Sequence, residues 1–582
     1  MQKINDDSLN EEEWLSKVYR GNSQPELTIK AIIIGAFLSV LLISSNIYMG
    51  LKTSFTEGGS ILSAILAFVI IKSFRGKLSI LENNIAQTMA SSAASIGIMV
   101  SVIPALILMG YNFSGFQLFL WIFLVSILGI LFAVPLRKQM VIIERLPFPS
   151  GTACAETISA MHADSRQAVK KSKILLVSGL FASIITWFRD GVPAIVPYIT
   201  NIPGGISKYS FGQLSFGINW SPMLLGVGVL VGKRIGLSLL LGAVIGWGFL
   251  PFFLADNGII SGVGYKAVSG WTMWLAISLM VSAGLTSFFI KWKIILRAFE
   301  SMKNARINSN NNIEFPFKLW LILIIGVSLA IAFIMAAVFL IPFWMSLLAI
   351  FLSYFLAVIA IRAYGETDIN PIGAVGHATQ IFYGIIAPGK IIVNVMAAGI
   401  TASGADQSAD LMQDLKTGYL LGATPKKQAY AQFIGAAVGS IVAVPIFLAV
   451  TNAYGIGTEI LPAPSAVLWK GLAELLSQGL ASLPNYAFAG ILSGAIIGII
   501  LALSEKTKAK KYLPSPIGMG IGIIVPAFFS VTIFLGSLLS YFFSKKFSEK
   551  SNAYSISIAS GAIAGESITG VIIAFLSAFG VM

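Results

Sequence analysis

A run of charged residues, GADQSADLMQDLKTG (404–418), interrupts a long stretch of apolar sequence. It spaces Asp406, Asp410 and Asp414 four residues apart, along one face of a helix, where like charges repel unless water, a cation or a basic group faces them. The spacing does not match the alternating ligands of an EF-hand loop, and no histidine or glutamate nearby would complete a metal site. We interpret the stripe, together with Lys416, as a wet helix end at the cytoplasmic edge that serves as a gate or structural motif.

A second polar stretch, SSNIYMGLKTSFTEGGS (44–60), joins two apolar runs with almost no spacer. Its polar side chains Asn46, Tyr48, Lys52 and Glu57 predict an unwound helix junction that faces a cavity. Lys52 would pair with Glu57 or meet a substrate carboxylate there. A short extracellular turn with solvated charges is the alternative.

A third stretch, PFPSGTACAETISAMHA (147–163), reads as a helix start followed by small residues. Its free N–H groups, near Ser150 and Gly151, suit an anion or a carbonyl group. Glu156 lies about one turn into this helix, where a buried carboxylate could carry a proton during transport. The alternative is that Glu156 only offsets the helix dipole at the membrane interface.

A fourth stretch, GHATQIFYGIIAPGKIIVN (376–394), adds Tyr383, Lys390 and Asn394 as donors in an apolar window. We interpret His377 as a packing residue.

The chain has no P-loop, HExxH or G-x-S-x-G motif, and its two histidines and single cysteine leave few ways to build a catalytic site. We therefore expect no enzyme, no catalytic residue, no metal site and no cofactor, with a channel or an intramembrane enzyme as the rival classes.

The elements that position these stretches are membrane helices. The 582 residues are 56% hydrophobic and 11% charged, and apolar runs of about 20 residues, long enough to cross a bilayer, recur along the chain. The pattern predicts an all-α polytopic membrane protein with about 14–16 transmembrane helices, some re-entrant or broken. The net charge of +14 is explained by Lys and Arg in cytoplasmic loops rather than by a nucleic-acid partner. Cys154 is the only cysteine, so no intrachain disulfide can form.

The charge pattern also sets the topology. With the N-terminus in the cytoplasm, the basic clusters fall on one side if 147–165 does not cross fully and 514–543 forms a hairpin or two short passes. We expect a cytoplasmic tail (1–26), a first transmembrane half (27–293), a polar cytoplasmic linker (294–316) and a second half (317–582). The halves share faint echoes, IYMGLKTSFTEGGSI (47–61) and RAYGETDINPIGAVG (362–376), which favour internal duplication over chance similarity.

The polar stretches resemble the oligopeptide transporter (OPT) family, which includes the yellow-stripe-like carriers. The resemblance rests on NIYMGLKTSFTEGGSI (46–61), PFPSGTACAETI (147–158), GADQSADLMQDLKTGYLLGATPKKQ (404–428) and SGAIAGESITGVI (560–572), which span almost the whole chain in the family's order. The string DLMQDLKTG is the most specific. Carried over by motif, the candidate residues are Asn46, Tyr48, Lys52, Glu57, Pro149, Ser150, Gly151, Glu156, Asp406, Asp410, Asp414, Lys416 and Glu566.

The resemblance implies a proton-coupled secondary transporter that imports small oligopeptides or peptide-like solutes, with a yellow-stripe-like carrier of metal–chelate complexes as the alternative. Broken helices at 46–60 and 147–160, with their repeat mates near 365–403 and 514–525, would form the central site. Helix N-termini and Lys52 would hold the substrate carboxylate, and Glu57, Glu156 or Glu566 the coupling proton. The acid at Glu156 departs from plant members and argues against transferring metal–chelate specificity. We expect a prokaryotic member in the plasma (inner) membrane, with substrate, protons and lipid as partners and a homo-oligomer left open.

Overall fold

The computed structural model describes residues 11–73, 78–163, 165–206, 208–304, 313–479 and 483–581. Residues 1–10 of the predicted tail and 305–312 of the predicted linker lie outside the described residues. Twelve helical stretches in the described part are long and apolar enough to cross a membrane, with two shorter apolar helices, Ser60–Ile70 and Ile372–Ile386. These lengths confirm the prediction of an all-α polytopic membrane protein.

The chain folds into helices joined by short connections, with two small strand pairs between α8 and α9. The helices are α1 (Glu11–Lys17), α2 (Ile29–Thr53), α3 (Ser60–Ser73), α4 (Ile80–Ala94), α5 (Val102–Leu108), α6 (Gly115–Ala133), α7 (Pro149–Ala163), α8 (Ser165–Asp190), α9 (Pro222–Ala243), α10 (Leu250–Asp256), α11 (Tyr265–Ile290), α12 (Trp292–Asn304), α13 (Phe317–Phe339), α14 (Phe343–Thr367), α15 (Ile372–Ile386), α16 (Ile391–Leu421), α17 (Pro425–Tyr454), α18 (Pro464–Gln478), α19 (Ala487–Ser504), α20 (Pro516–Ile524), α21 (Ala527–Lys546) and α22 (Ser548–Ala578). The strands are β1 (Ile199–Asn201), β2 (Gly205–Ile206), β3 (Tyr209–Ser210) and β4 (Gly217–Asn219), and β1 pairs antiparallel with β4 and β2 with β3.

The centre of the bundle is α16. Nearly all of its residues are buried, and it packs against α4, α5, α6, α7, α14, α15, α17 and α18. It is absent from the apolar spans because its middle carries aspartates and a lysine. The helix that hydropathy alone would miss is therefore the one around which the others pack.

Small residues let neighbouring helices approach closely. A Cβ on Gly435 of α17 would overlap the Met89 carbonyl oxygen of α4, and one on Gly565 of α22 would overlap the Gly179 carbonyl oxygen of α8. Such backbone-to-backbone crossings are typical of membrane helices, whose association depends on van der Waals packing rather than on exclusion of water. They fix α17 against α4, which matters for the charged centre described below.

Several helices are short or interrupted where the sequence predicts it. The segment 514–543 is not one helix: α20 ends at Ile524, and α21 begins after Pro526. At 15 residues, α7 spans about 22 Å, less than the roughly 30 Å apolar core of a bilayer. Both findings agree with the topology that the basic clusters require. A further break lies in α9, which kinks at Gly232, whose φ of 76° suits glycine.

Two helix–turn–helix units in the two halves have matching dimensions. Both α2 and α14 have 25 residues, and each ends on a left-handed residue, Ser54 (φ 64°) and Asp368 (φ 58°). Each is followed by a shorter helix, α3 with 14 residues and α15 with 15. The units coincide with the sequence echo at 47–61 and 362–376. Internal duplication stays a prediction, and this correspondence supports it.

Charged residues gather at one end of the bundle, called here the N-terminal end because residues 11–26 pack there. Lys138 pairs with Glu11 over 2.7 Å and Lys427 with Glu26 over 3.3 Å. Trp14 Nε1 donates to the Tyr419 carbonyl oxygen over 2.9 Å, and the two rings stack 5.0 Å apart. Trp14 thus docks the described N-terminal segment, residues 11–26, on the end of α16.

Candidate functional site

A cavity of about 510 Å³ lies between the two halves of the bundle. It is lined by the turn after α2, at Ser54 and Phe55, and by the last turns of α11, which end at Lys291. The opening turns of α15, α18 and α20 also line it, together with residues of α12 and α14. The predicted junctions at 46–60, 365–403 and 514–525 therefore do meet at one cavity, whereas 147–160 contributes no lining residue among those described.

Three helices begin at this cavity. The lining includes Pro371 and Gly373 at the start of α15, Ser465 in α18 and Pro516 in α20. The first N–H groups of a helix have no acceptor within it, and its N-terminus carries a partial positive charge. Three such ends around one volume favour an anionic group there. The prolines explain the starts, since proline suits the first turn of a helix.

Few charged or polar side chains reach the cavity. Lys291 and Glu505 line it, and Glu505 also accepts a hydrogen bond from Arg234 Nη2 over 3.1 Å. His377 lines it too, with Nδ1 2.9 Å from Gln380 Oε1 and its ring 4.9 Å from the Trp469 ring. His377 is thus a packed histidine, as the sequence indicates, whose ring also forms part of the wall.

The junction at 46–60 is less unwound than we predict from the sequence. Helix α2 continues through Asn46, Tyr48 and Lys52 to Thr53, and only 54–59 leaves the helix. Asn46 holds this turn: its Nδ2 donates to the Glu57 carbonyl oxygen over 2.8 Å, and its Oδ1 accepts from Glu57 N over 3.0 Å. The prediction of an unwound stretch from Asn46 is therefore wrong, because the asparagine braces the turn from inside the helix.

The predicted pairing of Lys52 with Glu57 is also wrong. Lys52 Nζ donates to Tyr48 OH over 2.7 Å and lies 4.4, 5.8 and 5.8 Å from the ring centres of Tyr48, Tyr198 and Tyr454. The lysine is 2% exposed and does not line the cavity. Three tyrosine faces stabilise its ammonium through cation–π interactions. The Glu57 carboxylate instead accepts from Ser560 Oγ over 3.3 Å.

Glu566 lies close to this lysine, in a buried ion pair. Arg189 Nη2 is 2.9 Å from Glu566 Oε1, and both side chains are fully buried. Ser221 Oγ lies 2.8 and 2.7 Å from the two carboxylate oxygens, and Met223 N donates over 2.8 Å. Arg189 also pairs with Asp190 over 2.5 Å. Glu566 is therefore the ionic anchor between α8, α9 and α22.

The stretch at 147–163 differs from the prediction in two ways. The N-terminus of α7 is occupied from within the chain, because Ser150 N and Oγ both donate to the Asp368 carboxylate, over 3.1 and 2.6 Å. Gly151 packs on α16, and a Cβ there would lie 2.5 Å from the Gln413 carbonyl oxygen. Glu156 is exposed, so the prediction of a buried carboxylate is wrong. It lies on the face of α7 turned away from α16.

Tyr383, the site candidate in the fourth stretch, makes contacts that hold helices together. Tyr383 is fully buried, and its OH donates to the Met345 carbonyl oxygen over 2.6 Å. It joins α15 to α14 and does not line the cavity. Asn394 is buried as well, and its Nδ2 donates to the Gln380 carbonyl oxygen, whereas Lys390 is exposed.

The aspartate stripe is not wet, contrary to our interpretation. Asp410 is 6% exposed and Asp414 fully buried, about three and two turns before the C-terminal end of α16. Lys416 is buried with them, 5.5 Å from the Tyr419 ring centre. The neighbouring helices α4 and α17 present serine and glutamine side chains to the stripe, which supply the hydrogen bonds that we had assigned to water.

The comparison with known families decides what this arrangement belongs to. The model of the OPT oligopeptide transporter protein family matches residues 26–577. The chain belongs to the OPT family. Its resemblance at the four motifs is thereby confirmed over nearly the whole length.

Relatives of this OPT protein match more than nine-tenths of its length. A Saccharomyces cerevisiae protein named "Putative oligopeptide transporter YGL114W" is 27% identical, over 94% of this chain and 95% of its own. A Haemophilus influenzae protein named "Putative oligopeptide transporter" is 28% identical, over 91% and 92%. The Arabidopsis thaliana metal-nicotianamine transporter YSL2 is 25% identical, over 93% and 92%. The OPT chain is thus similar to transporters named for either of two substrate classes.

Sequence reasoning missed several residues of the OPT cavity. Lys291 and Asn370 line it, yet neither stands out in the sequence, because one borders a polar linker and the other sits in a short loop. The similarity between 47–61 and 362–376 could have indicated Asn370. Asn370 follows α14 in the second half as Phe55 follows α2 in the first half, and Phe55 also lines the cavity. Lys291 carries no comparable signal.

Proposed function

We propose that this OPT protein is a proton-coupled secondary transporter that imports small oligopeptides or peptide-like solutes through the cavity between its halves. The observation that carries the proposal is the convergence of three helix N-termini and the Lys291 ammonium on one cavity. A peptide carries a C-terminal carboxylate, which suits both features. Family membership supports transport, and the cavity supports the choice of an acidic solute.

The cavity size and its apolar wall fit a short peptide. A volume of about 510 Å³ falls within the range of ordinary small-molecule sites. Its lining includes Phe55, Met280 and Trp469 beside the polar groups. In this proposal the carboxylate lies among the helix starts and Lys291, while the apolar wall accepts varied side chains. This division permits a range of peptide sequences.

We further propose that the N-terminal end of the bundle faces the cytoplasm, in a plasma (inner) membrane. Lys138, Arg137, Lys427 and Arg362 all gather near that end, each in contact with a carboxylate. An excess of Lys and Arg on the cytoplasmic side is the rule for membrane proteins. Import then runs from the end that carries β1–β4 towards the end that carries residues 11–26.

A metal–chelate complex is the second candidate substrate. It is favoured by the 25% identity to a metal-nicotianamine transporter over 93% of this chain. An amino-acid-derived chelator also carries carboxylates, so the same helix starts would suit it. The two substrates differ in the metal, and transport assays can separate them directly.

The deciding experiment is uptake into proteoliposomes that contain the purified protein, with and without an inward proton gradient. A library of labelled di- to tetrapeptides and a set of iron–chelate complexes would be offered in parallel. We expect saturable peptide uptake that the gradient accelerates. Uptake of iron chelates alone would assign the second candidate, non-saturating flux independent of the gradient would indicate a channel, and a product of altered mass would indicate an enzyme.

Lys291→Gln tests the role of the cavity itself. Loss of a charge-assisted hydrogen bond to the substrate costs about 1.5–3 kcal/mol, so KM should rise by roughly 10- to 100-fold. Lys293→Gln is the matched control, because Lys293 is exposed two residues away and does not line the cavity. Equal KM values for the two variants would remove Lys291 from the binding site.

A further inference from the structure

A second polar centre lies where α4, α16 and α17 pack together, outside the lining of the cavity. Asp410 and Asp414 are one turn apart on α16. Ser91 Oγ lies 3.1 Å from Asp410 Oδ2 and 2.6 Å from Asp414 Oδ2. Gln432 Nε2 donates to the same two oxygens over 3.1 and 2.8 Å, and Gln87 Nε2 donates to Asp414 Oδ1 over 3.2 Å. We call these five residues the aspartate centre.

The aspartate centre holds two carboxylates and no cation. The side chains that hydrogen-bond to Asp410 and Asp414 are all neutral: Ser91, Gln87, Gln432 and Ser95. In the part of the chain that the structure describes, no ion pair within 4 Å reaches either carboxylate. Two uncompensated charges at this depth would be costly, because burial removes the water that stabilises them.

The hydrogen atoms of the centre indicate how this cost is avoided. A serine hydroxyl has one hydrogen to donate. Ser91 lies within hydrogen-bonding distance of both carboxylates but can donate to only one of them, and the other contact becomes a hydrogen bond if its carboxyl group carries a proton. A single proton on the pair completes this contact and removes one of the two buried charges.

A separate observation points to an exchangeable ligand at the centre. Gln87 Oε1 and Gln432 Oε1 have no hydrogen-bond partner, although both residues are fully buried. They belong to the same amides that contact the carboxylates, so the unused acceptors lie at the centre. On α4, Asn84 Nδ2 and both polar atoms of Asn83 are also unpartnered. Unpartnered amide groups of this kind can hydrogen-bond a water molecule that brings a proton to the carboxylates or takes it away.

The centre is connected to the cavity. Asp406 lies one turn before Asp410 on the same stripe, and Asn370 Nδ2 lies 3.5 Å from Asp406 Oδ1. Asn370 lines the cavity, and its Oδ1 is unpartnered. On the far side, Gln428 Nε2 donates to the Asp414 carbonyl oxygen over 2.8 Å, near the N-terminal end. Polar side chains therefore extend from the substrate cavity to the centre and beyond it.

The other titratable groups near the centre do not neutralise it. Tyr364 of α14 interacts electrostatically with both aspartates, and Cys154 of α7 interacts with Asp414. Asp406 and Lys416 lie on α16 itself, and Asp368 follows α14. Two charged residues of the flanking helices α4 and α17 form ion pairs elsewhere. Glu82 of α4 pairs with Lys30, and Lys427 of α17 pairs with Glu26.

We propose that the aspartate centre holds the coupling proton, with Asp410 and Asp414 sharing it, in place of Glu57, Glu156 or Glu566. The inference rests on the proposed function, because it assigns a site to the proton of that transport cycle. Arrival of substrate at the cavity would be sensed through Asn370 and Asp406. The proton leaves towards the N-terminal end as the cavity changes its access.

The test compares two activities of the full-length protein in proteoliposomes. Gradient-driven peptide accumulation and substrate-induced proton entry, read by an internal pH dye, both require a bound proton to move. Exchange of labelled for unlabelled peptide at equal pH on both sides needs only binding and the change of access. We expect Asp414→Asn and Asp410→Asn to lose accumulation and proton entry but to retain exchange. The amide resembles a protonated carboxyl group, so these variants should fold, and Asp414→Glu should recover part of the proton entry.

The surface variant Asp256→Asn is the control for changing a carboxylate, and it should keep all three signals. Glu57→Gln, Glu156→Gln and Glu566→Gln are the rivals: loss of proton entry in one of these, with wild-type proton entry in Asp410→Asn and Asp414→Asn, would overturn the proposal. If a sodium gradient rather than a pH gradient drove accumulation by the wild-type protein, the aspartate centre would not hold a proton as its coupling ion. Wild-type uptake indifferent to both gradients would refute the proposed coupling itself, whatever the variants do.

Discussion

The buried pair of Arg189 and Glu566 offers a sharp test of which carboxylates are structural. Arg189→Gln would leave Glu566 and Asp190 without the guanidinium that pairs with both. Breaking a buried pair by removing one partner costs about 3–5 kcal/mol, because the remaining charge is uncompensated. Glu566→Gln should cost less. Arg189 keeps Asp190 at 2.5 Å and the Trp220 carbonyl oxygen at 3.0 Å, so about 1.5–3 kcal/mol is lost with one charge-assisted bond.

The assay is the apparent unfolding free energy in detergent, followed by loss of the monodisperse peak with rising denaturant. We expect the order wild type, Glu566→Gln, Arg189→Gln, from most to least stable. The double variant should be more stable than the sum of the two single losses implies. Lys208→Gln, which removes an exposed pair with Asp256, is the matched control and should leave stability unchanged. If Arg189→Gln had the same unfolding free energy as Lys208→Gln, the buried ion pair would not be stabilising the fold.

Three other predictions follow from the packing. Gly151→Val should weaken the α7–α16 contact by about 1–3 kcal/mol, since its Cβ would lie 2.5 Å from a backbone oxygen; Gly58→Val, with nothing within 4 Å, is the control in the same stability assay. Trp14→Ala should release the N-terminal segment at a cost of about 3–5 kcal/mol and speed its limited proteolysis, and unchanged cleavage would show that the docking is weak. In a Cys154→Ala background, Ile517→Cys in the cavity wall should react with a thiol reagent and be protected by substrate, whereas Phe181→Cys, outside this cavity, should react without protection.

Much of the fold could be predicted from sequence, because the bilayer imposes simple rules. Apolar runs of sufficient length identify most helices, and the side on which basic residues fall shows that 147–165 and 514–543 cannot be single crossings. The exception is α16. Its aspartates and lysine lower its hydropathy, so the sequence predicts a wet helix end where the structure has a deeply buried stretch of helix.

The site was harder to predict because burial depends on neighbours distant in sequence. Asp414 is buried by Ser91 and Gln432, which no local pattern around 404–418 reveals. Glu156 appears enclosed by small residues along the chain, yet those residues pack on one side and leave its own side exposed. Lys52 has Glu57 five residues away, but the helix turns its ammonium towards Tyr48 instead. Local spacing located the motifs, while the tertiary packing assigned their partners.

The most direct test of the central proposal is accumulation of one labelled tripeptide against its own concentration gradient in proteoliposomes. The wild-type protein would be given an inward proton gradient, and a protonophore would then be added. We predict that the free-acid tripeptide accumulates and leaks away when the gradient collapses, while its C-terminal amide does not accumulate. Equal uptake of acid and amide, or uptake that never exceeds equilibrium in the presence of the gradient, would contradict a proton-coupled carrier that recognises a carboxylate.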